Sequence, residues 1–330
     1  MSSSLASSKL PRRLVVGLAA AAAFLAVGTA QGQQQKSVAV LSIVEHPALD
    51  AVRDGVKDAL QQAGFEAGKN LKWQYQSAQG NVGTAGQIAR KYIGDKPDVI
   101  VAIATPSAQA VAAGTKSVPL VFSAVTDPVA AQLTPSWDAS GTNVTGVSDM
   151  LALDKQIDLL KKVVPQAKRV GMVYNPGEAN SVVVVRQLKE LLPKLGLTLV
   201  EAPAPRSVDV SSAARSLAGK VDVIYTNTDN NVVSAYEALV KVGNEARIPL
   251  IAGDTDSVKR GAIAALGIDY HDLGLQTGRV VVQILQGTKP GDIKPQTSSN
   301  LRLFINPSAA EKQGVKLSDD LVKSAAEVVR

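Results

Sequence analysis

Apolar runs alternate with helical patterns along most of this 330-residue chain, and the alternation occurs twice. The first half predicts four strands with helices between them, at 38–44, 71–77, 99–104 and 120–124. The second half predicts four more, at 169–174, 197–202, 221–226 and 249–252. A series of strand, helix and strand builds a parallel sheet covered by helices. The sequence therefore predicts two similar α/β lobes.

Short similar stretches in the two halves support a duplication. The stretch "DVIVAIATPSAQA" from Asp98 matches "DVIYTNTDNNVVSA" from Asp222. Likewise, "VPLVFSAVTD" from Val118 matches "IPLIAGDTD" from Ile248. Proteins of this fold class commonly contain such short stretches, which would explain each match by itself. Duplication explains better why the stretches occur in the same order in both halves.

The last part of the chain predicts a further strand, a long helix and one more strand. These elements suit a chain that crosses back to the first lobe and then again to the second, with crossings near Val147, Gly267 and Ser299. The predicted fold is therefore two doubly wound parallel-sheet lobes joined by a multi-strand hinge. After a linker at 31–36, lobe 1 is predicted at 37–147 and 268–298, and lobe 2 at 148–267 and 299–330.

The first 30 residues have the order of a secretory signal peptide. Lys9, Arg12 and Arg13 precede an apolar stretch at 14–27, and small residues follow up to Ala30, after which we expect cleavage. The apolar stretch is shorter than the ~20 residues that span a bilayer, which argues against a membrane anchor. An exported chain without cysteine fits a bacterial periplasm and lacks the residue that a lipid anchor requires.

Composition and missing motifs exclude several function classes. Without the leader, the formal charge falls from +6 to +3, which removes the main support for nucleic-acid binding. The chain has two histidines, His46 and His271, and no cysteine, so we predict no metal site and interpret both histidines as capping or surface residues.

Enzyme motifs are also absent from the sequence. It contains no nucleophile elbow, phosphate-binding loop, zinc-protease motif or cysteine nucleophile. The glycine-rich "GNVGTAG" at 80–86 lacks the order of a dinucleotide-binding loop, and we interpret it as a flexible lead-in to a helix. We predict that the protein is not an enzyme and uses no cofactor, although paired carboxylates leave acid–base catalysis open.

Polar side chains follow the predicted strands in both halves. Ligands bind outside the carboxyl ends of such strands, where loops lead into helix N-termini. These loops contain no lysine or arginine, which argues against polyanionic ligands, while their hydroxyls, amides and carboxylates suit a zwitterion. The candidate ligand-binding residues are Ser42, Glu45, Thr105, Ser107, Ser123, Thr126, Asp127, Asn175, Glu178, Asn180, Ser181, Thr226, Asp229, Asn230 and Asp254.

Helix capping explains any one of these residues equally well. Among the acids, Asp229 is the favoured acceptor for a ligand ammonium because no lysine or arginine lies near it in "YTNTDNN", and Glu178 and Asp254 are the next candidates. Five aromatic residues are candidates for stacking on an aromatic ligand, although core packing explains them at least as well: Tyr174, Tyr225, Tyr270, Phe122 and Trp137.

Several stretches, in order along both halves, resemble one family: "SAVTDPVAA", "GTNVTGVSD", "YNPGEANS", "YTNTDNNVVSAYEAL" and "GIDYHDLGLQTG". They are similar to ABC-transporter substrate-binding proteins of the tryptophan/tyrosine-binding type. The resemblance implies a type I periplasmic-binding-protein fold and delivery of a small ligand, often an aromatic amino acid, to a membrane permease. It also implies ligand-site roles for Glu178, Asn180, Ser181 and Asp229.

We therefore expect a monomeric extracytoplasmic solute-binding protein of an ABC importer, with a small zwitterionic ligand, an amino acid, in the cleft between the lobes. Two alternatives share this fold: a sugar- or nucleoside-binding protein, and a ligand-binding component that feeds a membrane sensor. A LacI-like regulator would need a helix-turn-helix where the predicted signal peptide lies.

Overall fold

The computed structural model describes residues 35–298 and 300–329, together with Ser3. Apart from Ser3, the predicted signal peptide lies outside the described residues, as does most of the predicted linker. The described part forms two α/β lobes, each built on one largely parallel sheet with helices packed against it. The fold class predicted from the repeated strand and helix pattern is confirmed.

From residue 35 to Ser148, the described chain forms five strands and three helices. The strands are β1 (Lys36–Ser42), β2 (Leu71–Ser77), β3 (Val99–Ile103), β4 (Leu120–Ser123) and β5 (Val144–Ser148). The helices between them are α1 (Pro47–Gln62), α2 (Val82–Asp95) and α3 (Thr105–Gly114).

The second half alternates in the same way and then extends further. Its helices are α4 (Leu153–Val163), α5 (Ala179–Leu191), α6 (Val210–Ser216), α7 (Asn230–Ser234), α8 (Tyr236–Ala246), α9 (Asp256–Lys259), α10 (Tyr270–Leu285), α11 (Pro307–Lys312) and α12 (Asp319–Lys323). Its strands are β6 (Arg169–Tyr174), β7 (Thr198–Pro203), β8 (Val223–Thr226), β9 (Leu250–Ala252), β10 (Ala264–Ile268), β11 (Gln296–Thr297), β12 (Leu301–Ile305) and β13 (Glu327–Val328).

The strands divide between two sheets with the orders β11-β5-β4-β3-β1-β2 and β13-β12-β10-β9-β8-β6-β7. Among the described pairs, β10 with β12 is antiparallel and the others are parallel. The chain passes from one sheet to the other after β5, after β10 and after β11. Ser299, at the third predicted crossing, lies outside the described residues, and the lobe boundaries stay a prediction.

Buried apolar strands explain why most of the sheet is predictable. The strand β3, "VIVAI", is buried along its whole length, as expected for a central strand with helices on both faces. The sequence does not predict three of the described strands, β5, β11 and β13. The strand β5, "VTGVS", contains two valines among small and polar residues, and the other two strands have two residues each.

The interpretation of 80–86 as a flexible lead-in is wrong. The helix α2 begins at Val82, so Gly83 and Gly86 lie inside it. Asn81 caps this helix by accepting a hydrogen bond of 2.9 Å from the backbone N–H of Thr84. A good N-cap holds the first helical turn despite the glycines.

The helices α1 and α10 approach closely through glycine. A Cβ atom on Gly274 would overlap the carbonyl oxygen of Val52 and would lie 3.0 Å from the Cα of Gly55. Because backbone atoms cannot rotate aside, we expect Gly274→Ala to lower the free energy of unfolding by about 1–3 kcal/mol. In contrast, Gly94→Ala in α2 meets no atom within 4 Å and should raise it by about 0.5–1 kcal/mol. Urea denaturation measures both changes, and equal stability of the two variants would contradict this packing.

Candidate functional site

A pocket lies between the two lobes, at the carboxyl ends of strands from both sheets. Open parallel sheets bind their ligands at this edge. The first lobe contributes His46, Ala48, Leu49, Ala104 and Ala124. The second lobe contributes Asn180, Thr228, Asn230, Val233 and Asp254. Asp149 and Tyr270, at two of the connections between the lobes, complete the lining.

Strained backbone marks the first-lobe side of this pocket. Ala104, directly after β3, has φ 72° and ψ 156°, a conformation that residues other than glycine rarely adopt. Ala124, directly after the neighbouring strand β4, has φ 53°. Such conformations persist where the surrounding structure holds them, and they cluster at binding sites. Both alanines line the pocket.

The N-terminus of α3 follows Ala104 and has no side-chain cap. Its first turn carries the hydroxyls of Thr105 and Ser107, which are 1% and 0% exposed and have no hydrogen-bond partner in the described part of the chain. The first N–H groups of a helix lack partners within the helix and carry the positive end of its dipole. Together, these donors form a site suited to a carboxylate.

Two buried carboxylates line the same pocket. Asp149 accepts hydrogen bonds from the Thr126 hydroxyl (3.1 Å) and the Tyr270 hydroxyl (2.9 Å). Asp254 accepts from the backbone N–H and the hydroxyl of Ser257. Neither carboxylate has an ion-pair partner among the described residues. Burial raises the pKa of both groups, and a cation in the pocket would compensate their charges.

The walls of the pocket are largely apolar. Leu49 and Val233 face it from opposite lobes, and the rings of His46 and Tyr270 add flat surfaces. His46 also caps α1, because its Nδ1 accepts a hydrogen bond of 3.4 Å from the N–H of Leu49. Burial, with a smaller effect from the charge of Arg260, lowers the pKa of His46 to about 3, so the imidazole is neutral. The remaining proton therefore lies on Nε2.

Two more carboxylates lie behind the second-lobe wall. Glu178 and Asp229 are 5% and 0% exposed and do not line the pocket. Asp229 accepts hydrogen bonds from the Ser181 hydroxyl (2.5 Å) and the backbone N–H of Asn175 (2.6 Å), and it caps α7 through the N–H of Val232 (3.0 Å). These contacts favour a capping role for Asp229 over direct contact with a ligand.

The structure brings some of the predicted ligand-binding residues to the pocket. Asn180, Asn230 and Asp254 line it, and Thr105 and Ser107 lie beside it in α3. Five more lie immediately around these. Thr126 donates a hydrogen bond to Asp149. The other four form the layer behind the second-lobe wall, where Glu178 accepts hydrogen bonds from Asn180 and Asn230: Asn175, Glu178, Ser181 and Asp229.

Other predicted residues make contacts within the protein. Glu45 is exposed and bonds to Gln79 and Tyr75. The remaining four form hydrogen bonds within the protein. Ser42 donates to the carbonyl of Val44, and Asp127 accepts from the N–H groups of Val129 and Ala130. The hydroxyls of Ser123 and Thr226 bond to the hydroxyls of Thr277 and Tyr236. Of the aromatic candidates, Tyr270 lines the pocket, while Tyr174, Tyr225 and Phe122 are buried in the lobe cores.

Asp149 lies in the pocket directly after β5 and was not among the predicted ligand-binding residues. Asp149 is the last residue of the stretch "GTNVTGVSD". This stretch could not be assigned to a strand end because β5 was not predicted. His46 was predicted as a capping or surface residue; it is a cap, and it is also buried against the pocket. His271 is half-exposed and pairs with Asp58 at 2.9 Å.

Within the described residues, no three histidine or acidic side chains lie close enough together to hold a metal ion. No helix in the same part of the chain has the length and apolar character needed to cross a membrane.

Residues 37–329 match the family described as ABC transporter substrate binding protein. The chain belongs to this family. Its members are substrate-binding proteins rather than enzymes, and they act outside the cytoplasm. A curated relative, the tyrosine-binding protein of Clostridioides difficile (strain R20291), is 41% identical over 292 residues, which cover 88% of this chain and 85% of the relative.

Two solved structures of similar proteins represent a ligand-bound and a ligand-free state. One is an ABC domain from Streptococcus pneumoniae in complex with L-Trp, with a TM-score of 0.86, 32% identity, and coverage of 89% of this chain and 100% of that one. The other is the ligand-free, open structure of a substrate binding protein from Clostridium difficile, with a TM-score of 0.67, 40% identity, and coverage of 89% and 99%. The substrate-binding protein described here therefore resembles the ligand complex more closely than the open structure, despite lower identity.

Proposed function

We propose that this substrate-binding protein binds an amino acid in the pocket between its lobes and delivers it to the membrane permease of an ABC importer. One observation carries the proposal: a single pocket combines an uncapped helix N-terminus with two buried carboxylates that have no ion-pair partner among the described residues. The N-terminus of α3 fits the ligand carboxylate, and Asp149 or Asp254 fits its ammonium.

Asp149 is the better candidate for the ammonium acceptor. Both carboxylate oxygens of Asp254 accept hydrogen bonds from Ser257, in the first turn of the short helix α9. Asp149 caps no helix, and its two partners are hydroxyls that contribute no charge. The described part of the chain therefore supplies no cation for this buried charge, whereas a ligand ammonium would both compensate it and gain an ionic hydrogen bond.

The apolar walls favour an aromatic side chain on the ligand. Leu49, Val233 and the ring of Tyr270 offer apolar surface between the charged groups. The names of two similar proteins also support an aromatic amino acid, since one relative is a tyrosine-binding protein and one solved structure contains L-Trp. A sugar or nucleoside carries no ammonium and would leave the buried carboxylates uncompensated, which costs binding energy. Delivery to a membrane sensor stays the alternative to delivery to a permease.

We also propose that the protein is exported, cleaved after Ala30 and active as a soluble periplasmic monomer. The basic start, the apolar stretch and the small residues before Gln31 support this processing. Gln31, rather than the cysteine that carries the lipid of a lipoprotein, follows the proposed cleavage site.

A thermal-shift screen of the twenty amino acids, common sugars and nucleosides tests the proposed ligand class. We expect L-tryptophan or L-tyrosine to raise the melting temperature most, because a ligand that binds only the folded state stabilises it. Tryptamine and tyramine lack the carboxylate, and indole-3-propionate and 3-(4-hydroxyphenyl)propionate lack the ammonium. Each analogue should bind at least about 30-fold more weakly by calorimetry, corresponding to about 2 kcal/mol. A larger shift with a sugar or nucleoside would reject the amino-acid ligand.

A further inference from the structure

Glu178 occupies an unusual position at the start of α5. It is the residue before the helix, yet its side chain makes no capping hydrogen bond to that helix. Instead, it accepts hydrogen bonds from the side-chain amides of Asn175 (3.3 Å), Asn180 (3.1 Å) and Asn230 (2.6 Å), and from the backbone N–H of Asn230 (3.1 Å). A buried carboxylate thus joins α5 to α7 through four N–H donors.

Two of these amides, those of Asn180 and Asn230, belong to residues that line the pocket. Glu178 holds the NH₂ group of each, and the NH₂ of Asn180 also donates to the carbonyl of Thr228 at 3.2 Å. A carboxylate can only accept hydrogen bonds, so the NH₂ groups of Asn180 and Asn230 must face Glu178. The opposite end of each amide is then a carbonyl oxygen. The Oδ1 of Asn180 is buried and has no partner among the described residues, which leaves it able to accept a hydrogen bond from a ligand.

We propose that Glu178 is a positioning residue that keeps the carbonyl oxygens of Asn180 and Asn230 available to the ligand ammonium, and that protonation of Glu178 weakens ligand binding. This inference rests on the proposed amino-acid function. A protonated Glu178 has to donate one hydrogen bond, but all four of its partners are N–H donors. One of these amides must therefore rotate. The Oδ1 of Asn175 already accepts from the N–H of Gly177 (2.9 Å), and the NH₂ of Asn180 also donates to the carbonyl of Thr228 (3.2 Å), whereas the NH₂ of Asn230 bonds to Glu178 alone among the described residues. Rotation of the Asn230 amide turns its NH₂ group toward the pocket and opposes a cationic ligand.

The surroundings of Glu178 place its protonation in a physiological range. Asp229 is the charged group that faces it from the start of α7, while Asn175, Asn180 and Asn230 are neutral. Burial, followed by the negative charge of Asp229, raises the pKa of Glu178 to about 7. Because the ionised form is the one that orients the amides, affinity should be full above about pH 8 and should fall as the pH drops through 7.

Calorimetry with L-tryptophan and L-tyrosine between about pH 5.5 and pH 8 tests this role. The wild-type protein should bind at least about tenfold more weakly at pH 5.5 than at pH 8, since one proton released per binding event changes affinity up to tenfold per pH unit below the pKa. The carboxylate and ammonium of the ligand do not titrate in this range. Asp149 and Asp254 line the same pocket and have raised pKa values, so variants must assign the effect.

Glu178→Gln should bind weakly at pH 8 and should lose most of the pH dependence, because its neutral amide cannot accept four hydrogen bonds at any pH. Asp229→Asn removes the neighbouring negative charge, so the pH at which half of the affinity is lost should become lower. Loss of the helix cap alone would not change that pH. If Asp229→Asn does not fold, as judged by circular dichroism, Glu178→Gln decides the question.

Two different failures can be distinguished. A flat wild-type profile, or an unchanged midpoint and amplitude in Glu178→Gln, would overturn the role of Glu178 while leaving amino-acid binding intact. Absence of binding by the wild-type protein at every pH would overturn the amino-acid function and this inference together.

Discussion

Replacing Asp149 by asparagine should weaken binding of L-tryptophan or L-tyrosine by about 2–5 kcal/mol, or roughly 30-fold to several thousand-fold. The substitution keeps the shape of the side chain but removes the charge that compensates the ligand ammonium. The hydroxyls of Thr126 and Tyr270 can each donate or accept, so both can still bond to an asparagine amide. The fold should therefore tolerate the change, and calorimetry isolates the effect on binding.

Asp98→Asn is a suitable control for this substitution. Asp98 immediately precedes β3, at the opposite end of the strand from the pocket, and accepts hydrogen bonds from the N–H and hydroxyl of Ser37. The same loss of charge there should leave ligand affinity unchanged. If Asp149→Asn lost less than about threefold in affinity, or ~0.6 kcal/mol, Asp149 would not be the ammonium acceptor. Asp254 would then be the candidate in the pocket.

Removing the two hydroxyls at the start of α3 should weaken binding while leaving the ligand-free protein at least as stable. In the double variant Thr105→Val with Ser107→Ala, the ligand carboxylate loses two donors, each worth about 1.5–3 kcal/mol when bonded to a charged group. We expect a loss of affinity of about 100-fold or more. The unliganded protein loses buried hydroxyls that have no partner in the described part of the chain, so its melting temperature should not fall.

Thr134→Val separates this effect from the general consequence of removing a buried hydroxyl. Thr134 is 4% exposed, and its Oγ1 also has no partner among the described residues, but it does not line the pocket. Its replacement should leave affinity unchanged. Equal affinity of the wild-type protein and the double variant would mean that the carboxylate does not bind at α3, whatever happens to stability.

Most of the fold follows from local patterns in the sequence. Strands such as β3 and β6 are short buried apolar runs, so their hydrophobicity alone marks them within a residue or so. The strand β5 lacks this signal because its neighbours β4 and β11 in the sheet, rather than its own composition, hold "VTGVS" extended. A crossing near Val147 was predicted, but Asp149 was not placed at a strand end because β5 was not predicted.

The pocket could be located from the sequence more reliably than its contacts could. Parallel topology places every loop after a strand at the same edge of the sheet, which brings Asn180, Asn230 and Asp254 together. It does not determine where a side chain turns. Asp229 and Glu178 stand in such loops, but nearby N–H groups satisfy their carboxylates inside the protein, and these partners come from residues as far as 54 positions away.

Backbone strain and tertiary contacts explain the other omissions. Alanine has no polar side chain, so nothing in the sequence marks Ala104 or Ala124 as pocket residues; their unusual φ values become visible only in the folded chain. The role of Tyr270 depends on Asp149, which lies 121 positions away in the chain. Such contacts depend on the folded arrangement of the two lobes.

A crystal structure of the protein with L-tryptophan or L-tyrosine is the most direct test of the central claim, that the pocket binds an amino acid by its two charged groups. We predict that the ligand carboxylate lies within hydrogen-bonding distance of the Thr105 and Ser107 hydroxyls at the start of α3, and that its ammonium contacts Asp149. A ligand outside the pocket between the lobes, or one bound there with its carboxylate away from α3 and its ammonium away from Asp149, would contradict the account.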